Sequence, residues 1–85
     1  PVALAPAELE RLAGSYGPYR VWALGGQLRV QRETEAPYLL TPLAPLVFVS
    51  ETDQPVRVEF LAGAGGAVTR LVFVDDDGRR EEAAR

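Results

Sequence analysis

The chain has 85 residues and a mass of 9.2 kDa, with 47% apolar and 25% charged residues and a formal net charge of −3. That balance belongs to one small globular domain, residues 1–85, rather than to a disordered or fibrous chain. Cys, His, Met, Lys, Ile and Asn are all absent, which excludes a thiol nucleophile, an imidazole base, a soft-metal cluster and a disulfide framework.

All nine cations are Arg, set against twelve acids. Phosphate recognition needs a concentrated basic face, whereas Arg20, Arg29, Arg32, Arg57 and Arg70 are scattered among acids and apolar residues. No nucleic-acid partner is expected. The apolar runs, such as Leu46-Val47-Phe48-Val49, fall far short of the roughly 20 residues that span a bilayer, so no membrane partner is expected either. With no Met and a Pro1-Val2-Ala3 opening, the chain reads as a piece excised from something longer.

The first segment, Ala5 to Ala13, reads as a short helix. Pro6 suits the first turn, Glu8 and Glu10 suit the positive end of the helix dipole, and Leu9 and Leu12 share a face. Gly14 is a natural terminator. Two helical turns are unstable alone in water, so Leu9 and Leu12 are expected to be buried against the rest of the chain, plugging one end or face of a sheet.

From Tyr19 the periodicity changes to 2, with Gly or Pro punctuation at short intervals, which predicts an all-β antiparallel meander of six or seven strands. Tyr19 to Leu24 is a strand, Gly25-Gly26 a two-residue hairpin turn, and Gln27 to Arg32 the return strand with Leu28 and Val30 facing inward. Gly14 to Pro18 reads as the corner from helix to sheet. Tyr38 to Leu43 and Leu46 to Glu51 are broken by Pro42 and Pro45, which places this pair at a sheet edge or around a tight corner. Val56 to Phe60, a Gly63 to Gly66 turn, and Ala67 to Val74 form the next hairpin. Asp75-Asp76-Asp77-Gly78 turns the chain again, and Arg79 to Ala83 reads as a last polar strand with a fraying end. A meander of this size either curls into a small barrel or half-barrel or covers its open face with the helix.

The run Leu12-Ala13-Gly14-Ser15-Tyr16-Gly17-Pro18-Tyr19-Arg20-Val21 resembles the G-T-Y-G-P-R opening of a small carboxy-terminal β domain of tail-specific serine peptidases. The later landmarks follow in the same order: Gly26-Gln27-Leu28 with Gln31-Arg32, Tyr38 to Leu43, Phe48, Arg57 to Phe60, Val68 to Leu71 and Asp77-Gly78-Arg79. A related lipocalin-like module follows the catalytic domain of many β-lactamase-type serine hydrolases. The resemblance spans roughly residues 9–85 and departs from the pattern at Tyr19, between Pro18 and Arg20, and before Gly66, where no acid stands. It implies a lipocalin-like fold, an origin at the carboxy-terminal end of a longer protein, a periplasmic or secreted location, and an accessory role without catalytic residues.

Candidate sites read from the residues point the same way. Asp75-Asp76-Asp77-Gly78 concentrates charge, but adjacent carboxylates make a polar turn more readily than the alternating ligand loop that calcium prefers. Ser15 and Ser50 lack an activating base, because the chain has neither His nor Lys. The carboxylate pairs Glu33/Glu35 and Glu51/Asp53 sit in hydrophilic turns, where solvation gives both members of a pair the same environment and no division into acid and base. No cofactor or metal is implied.

Tyr16, Tyr19, Trp22, Tyr38 and Phe48 are the candidate ligand cup or interface; equally, such large rings supply core packing. Leu46-Val47-Phe48-Val49 puts apolar side chains on both faces of one strand, so a covering partner is expected there. The leading expectation is a noncatalytic accessory or interaction domain that packs against a parent catalytic domain or a second copy as a homodimer. The alternative is a lipocalin-like module for a small hydrophobic ligand.

Overall fold

The computed structural model describes residues 4–50, 52 and 55–85. Helix α1 (Pro6–Leu12) is followed by β1 (Gly14–Tyr16), β2 (Tyr19–Leu24), β3 (Gln27–Arg32), β4 (Tyr38–Ala44), β5 (Val47–Ser50), β6 (Arg57–Ala62), β7 (Val68–Val74) and β8 (Arg80–Ala84). The strands form one antiparallel sheet in the order β1 to β8, each paired with its neighbour in sequence. The sheet curls into a nearly closed barrel, the all-β architecture that the period-2 pattern predicts.

Alternation decides what the barrel encloses. Val21, Leu28, Val30, Leu40, Phe48, Val58, Phe60 and Leu71 are buried and meet in one core with Tyr16 and Tyr19. Phe60 is its aromatic hub, meeting Tyr16 and Phe48 edge-on with ring centroids 5.7 Å away in each case. Such aromatic pairs contribute beyond the area they bury. Side chains therefore fill the interior.

The helix stoppers one end. Glu8 accepts a hydrogen bond from the Ala5 amide at 3.1 Å, and Leu9 and Leu12 are buried as expected. Leu4 and Leu9 lie over Gly26, Leu28, Pro42 and Phe48, while Arg11 donates to the Gly66 carbonyl at 3.2 Å. The helix thus covers the end that carries the β2–β3, β4–β5 and β6–β7 connections. In a meander the remaining connections lie at the opposite end, and among the described residues no helix covers that one.

The Gly25-Gly26 hairpin forms as predicted, with φ of 62° and 76°, the mirror-image turn that matches strand twist. Three details differ from the sequence-based expectation. Gly14 to Tyr16, read as part of a corner, pairs with β2 and makes the count eight strands. Pro42 is not at a sheet edge but inside β4, at a register shift between Pro42 and Ala44 and beyond the Leu28↔Leu40 pair that ends the β3 ladder, so its missing donor interrupts little. The last strand does not fray: β8 pairs with β7 over five positions, and the Arg85 amide donates to Thr69 at 2.8 Å.

Among the described residues no ladder joins β8 to β1; side chains close that gap. Arg85 donates to the carbonyls of Arg11 at 3.0 Å, Val68 at 3.2 Å and Ala13 at 2.6 Å, and its guanidinium lies 5.3 Å from the Tyr16 ring centroid. The Tyr16 hydroxyl donates to the Leu12 carbonyl at 2.8 Å, so both groups satisfy acceptors at the carboxyl end of α1. Ala83 fits against Gly17, where an added Cβ would meet the Ala83 Cβ at 3.1 Å and φ is +56°.

Two substitutions test this packing by urea denaturation. Phe48→Ala is expected to cost about 3–5 kcal/mol, a large part of the stability of so small a domain. Gly17→Ala is expected to cost about 1–2 kcal/mol through its left-handed backbone alone, and more where it presses on Ala83. An unchanged midpoint for Gly17→Ala would remove that contact from the description of the seam.

Candidate functional site

The uncovered end is built by residues whose facing follows from strand parity. Tyr19 lies two positions before inward Val21, Phe73 two after inward Leu71, and Glu81 two before buried Ala83. Register then sets Tyr19 opposite Arg32, Tyr38 opposite Val30, and Phe73 opposite Glu81. The Tyr19 and Phe73 rings stack with centroids 5.1 Å apart, and Tyr38 tilts against Phe73 at 5.9 Å.

Above this aromatic floor the Tyr19 hydroxyl donates a short hydrogen bond to Glu81. Arg32 Nε donates to the same carboxylate oxygen at 3.2 Å, and the guanidinium lies 5.9 Å from the Tyr19 ring centroid. Arg32 also donates to Glu33 at 2.5 Å and faces Glu35 at 4.0 Å. The result is a cleft of about 470 Å³ lined by Tyr19, Arg32, Tyr38, Phe73 and Glu81, with Glu35, Asp75, Arg79 and Arg80 around it.

Electrostatics follow from these contacts. The hydrogen bond from Arg32, reinforced by that from Tyr19, holds the Glu81 carboxyl below its ordinary range. Burial, and then the bond to Glu81, push the Tyr19 hydroxyl well above the ordinary value for tyrosine. Both groups therefore stay in the protonation states that this arrangement requires at neutral pH.

The residues read from sequence as a cup or interface are divided by the fold. Tyr19 and Tyr38 line the open cleft. Tyr16 and Phe48 are wholly buried in the core beneath it, each with 0% exposure. Trp22 lies three residues beyond Tyr19, on the opposite strand face, in an outer hollow with Arg20 and Gln31. The five rings do not line one cup.

Sequence reasoning overlooked Arg32, Phe73 and Glu81 as partners. The signal was the alternation itself: Leu71 with Phe73, and Glu81 with Ala83, share a face. Arg79 to Ala83 reads from sequence as a polar strand with a fraying end, and nothing in that pattern points to the Tyr19 and Arg32 partners of the half-exposed Glu81.

The other candidates have structural roles or lie apart. Ser50 is buried, and its hydroxyl accepts from the Val56 amide at 3.0 Å while its own amide donates to the Val56 carbonyl at 3.0 Å. It fastens the connection between β5 and β6. Ser15 is exposed on β1. Asp75 turns its carboxylate onto the amides of Asp77 and Arg79, at 3.3 and 3.0 Å, and Asp77 also accepts from the Arg79 amide at 3.1 Å. The aspartate run is thus a turn stapled by its own side chains. Glu33 and Glu35 are exposed and gather around Arg32, whereas Glu51 and Asp53 lie outside the described residues.

The outer wall is divided in character. On β6 to β8, Arg57 and Arg80 face Glu59 at 3.8 and 3.7 Å, and Arg70 pairs with Glu82 at 3.1 Å. Val72 lies between Glu59 and Glu82 in register and is buried beneath this lattice. On β4 and β5 Leu39 and Leu43 are each half exposed, and Val47 and Val49 are partly exposed, with Glu59 and Arg57 opposite the two valines and Arg29 opposite Leu39.

No family model matches this chain, and neither the curated proteins nor the solved structures include a match.

Two measurements separate these roles. Ser50→Ala leaves the Val56 amide unpaired and is expected to lower stability by about 1–3 kcal/mol; equal stability would remove its fastening role. For Glu81 the folded carboxyl ionises more readily than the unfolded one, so its stabilisation is present above the ordinary carboxylate pKa and disappears as pH falls through the lowered folded value. The stability gap between the parent chain and Glu81→Gln is therefore expected to be constant near neutrality and to close in acid. A gap that persisted at pH about 2, below the ordinary carboxylate range, would place the effect elsewhere.

Proposed function

We propose that this domain is a noncatalytic accessory or interaction module, of the kind appended to secreted or periplasmic serine hydrolases and peptidases, and that it packs through the outer face of β4 and β5 against a catalytic partner or a second copy. The observation that carries this reading is the contrast along the wall. Leu39 and Leu43 are each half exposed and, with the partly exposed Val47 and Val49, form an apolar patch bordered in register by Arg29, Arg57 and Glu59, whereas the outward Val72 is buried among paired Arg and Glu side chains. A half-exposed apolar patch with a charged rim is the usual form of a contact surface.

The interior supports the same reading. Tyr16, Phe48, Leu28, Leu40, Leu71, Val30 and Val58 occupy the space that a carrier would leave for its ligand. The buried hydroxyls of Tyr16 and Ser50 are engaged by backbone groups, which leaves them in structural rather than reactive roles. The alternative, binding of a small hydrophobic ligand, finds support only at the open end, where Tyr38 and Phe73 border solvent.

Static light scattering over a concentration series tests the self-association form: the mass is expected to double, and Val49→Lys to return it to that of a monomer. A monomer at every concentration removes that form and leaves the catalytic partner. Turnover of peptide, ester or glycoside substrates by the purified chain would overturn the whole reading.

A further inference from the structure

The bonds that reach Glu81 from the Tyr19 hydroxyl and Arg32 Nε both end on Oε1. Among the described residues Oε2 has no partner; the side chain, 46% exposed, stands at the rim of the 470 Å³ cleft on a residue opposite Phe73 in register. Tyr38 and Phe73 supply adjoining, partly exposed rings. A carboxylate oxygen beside aromatic faces recognises positive charge, by charge-assisted hydrogen bonding and by attraction to the ring quadrupole.

The surrounding charges are balanced. Arg32 is already bracketed by Glu33, Glu35 and Glu81. Arg79 is turned to Asp77 at 3.5 Å, with its side chain 84% exposed, and Arg80 is directed along the outer wall to Glu59. Glu35 and Asp75 add two more acids to the lining. The lining thus holds three Arg and three acids, and what favours a cation is the acceptor Oε2 placed beside aromatic faces. The guanidinium of Arg32, held between Glu81 and the Tyr19 ring, shows within the molecule the contact that a guest would make.

From this geometry we infer that the open end of the barrel binds an organic ammonium or guanidinium group on an apolar stem, with the cation on Glu81 Oε2 and the stem across Tyr38 and Phe73. This site is independent of the β4–β5 face and goes beyond the accessory role.

The test is an amide-resolved NMR titration of the 85-residue chain with phenethylammonium, N-acetyl-lysine methylamide and N-acetyl-arginine methylamide. N-acetyl-norleucine methylamide serves as the neutral isostere and phenylpropionate as the anion. Saturable shifts at Tyr38, Phe73 and Glu81 are expected with the cations, with affinity in the millimolar range and at least about fivefold above that of the isostere. Binding by phenethylammonium alone identifies a free amine as the guest, and binding by the lysine or arginine derivative identifies a basic side chain; either supports the site.

Glu81→Gln is expected to abolish the preference for charge. Tyr38→Leu keeps an apolar residue while removing the ring, and is expected to weaken binding about fivefold in a chain that still folds, so it stays informative if Glu81→Gln fails to fold. Absence of saturable shifts, tighter binding of phenylpropionate, or undiminished affinity in folded Tyr38→Leu would overturn the inference.

Discussion

A meander of eight strands pairs each strand with the next, but nothing in that order joins the last to the first. In this barrel side chains close the gap, and the remainder of the fold depends on them. Arg85 gathers carbonyls from the end of α1, from the link to β1 and from β7. Ala83 approaches Gly17, and Glu81 ties β8 to Tyr19 and Arg32. Alternate residues 81, 83 and 85 thus share one side of the chain, and each meets a different part of the opposite edge. Without those contacts β1, of three residues, and β8, of five, would be bare sheet edges, the arrangement that proteins normally cover or blunt.

Closure also makes the two ends unequal. The helix, too short to be stable alone, is held by burial of Leu9 and Leu12 and by the acceptors that Tyr16 and Arg85 satisfy at its carboxyl end. It seals one end with apolar side chains. The other end is sealed by Tyr19, Tyr38 and Phe73, and its polar groups stand above those rings. Since the space between is filled, binding chemistry is confined to the surfaces: the open end with its carboxylate, and the wall with its half-exposed leucines.

The wall illustrates how composition is partitioned. Arginine stems lie along β6 to β8 and pair with Glu59 and Glu82 across the strands; exposed pairs of this type add little stability, but their aliphatic portions cover Val72. Val47 and Val49 lie opposite Glu59 and Arg57 and remain partly exposed, and the half-exposed Leu39 and Leu43 lie beyond them on β4. The apolar run Leu46 to Val49, noticed in sequence for having apolar residues on both faces, resolves into Phe48 in the core and valines on the wall.

The amino-acid order by itself determined the elements and their succession. Leu28 and Val30 alternate, Gly25-Gly26 permits the mirror-image turn, and Leu9 with Leu12 requires a buried helix face; each is a local rule that operates within a few residues. It also determined which chemistry is absent, because missing residue types need no coordinates. Tertiary structure alone decided that Gly14 to Tyr16 is a strand, since three residues become one only when β2 is available to pair, and that Pro42 can lie within the sheet, since the β3 ladder has ended there. It alone decided the open end as well. Parity could place Glu81 on the inner face and Trp22 on the outer, but the meeting of Glu81 with Tyr19, 62 residues away in sequence, requires the barrel to close and bring distant strands side by side.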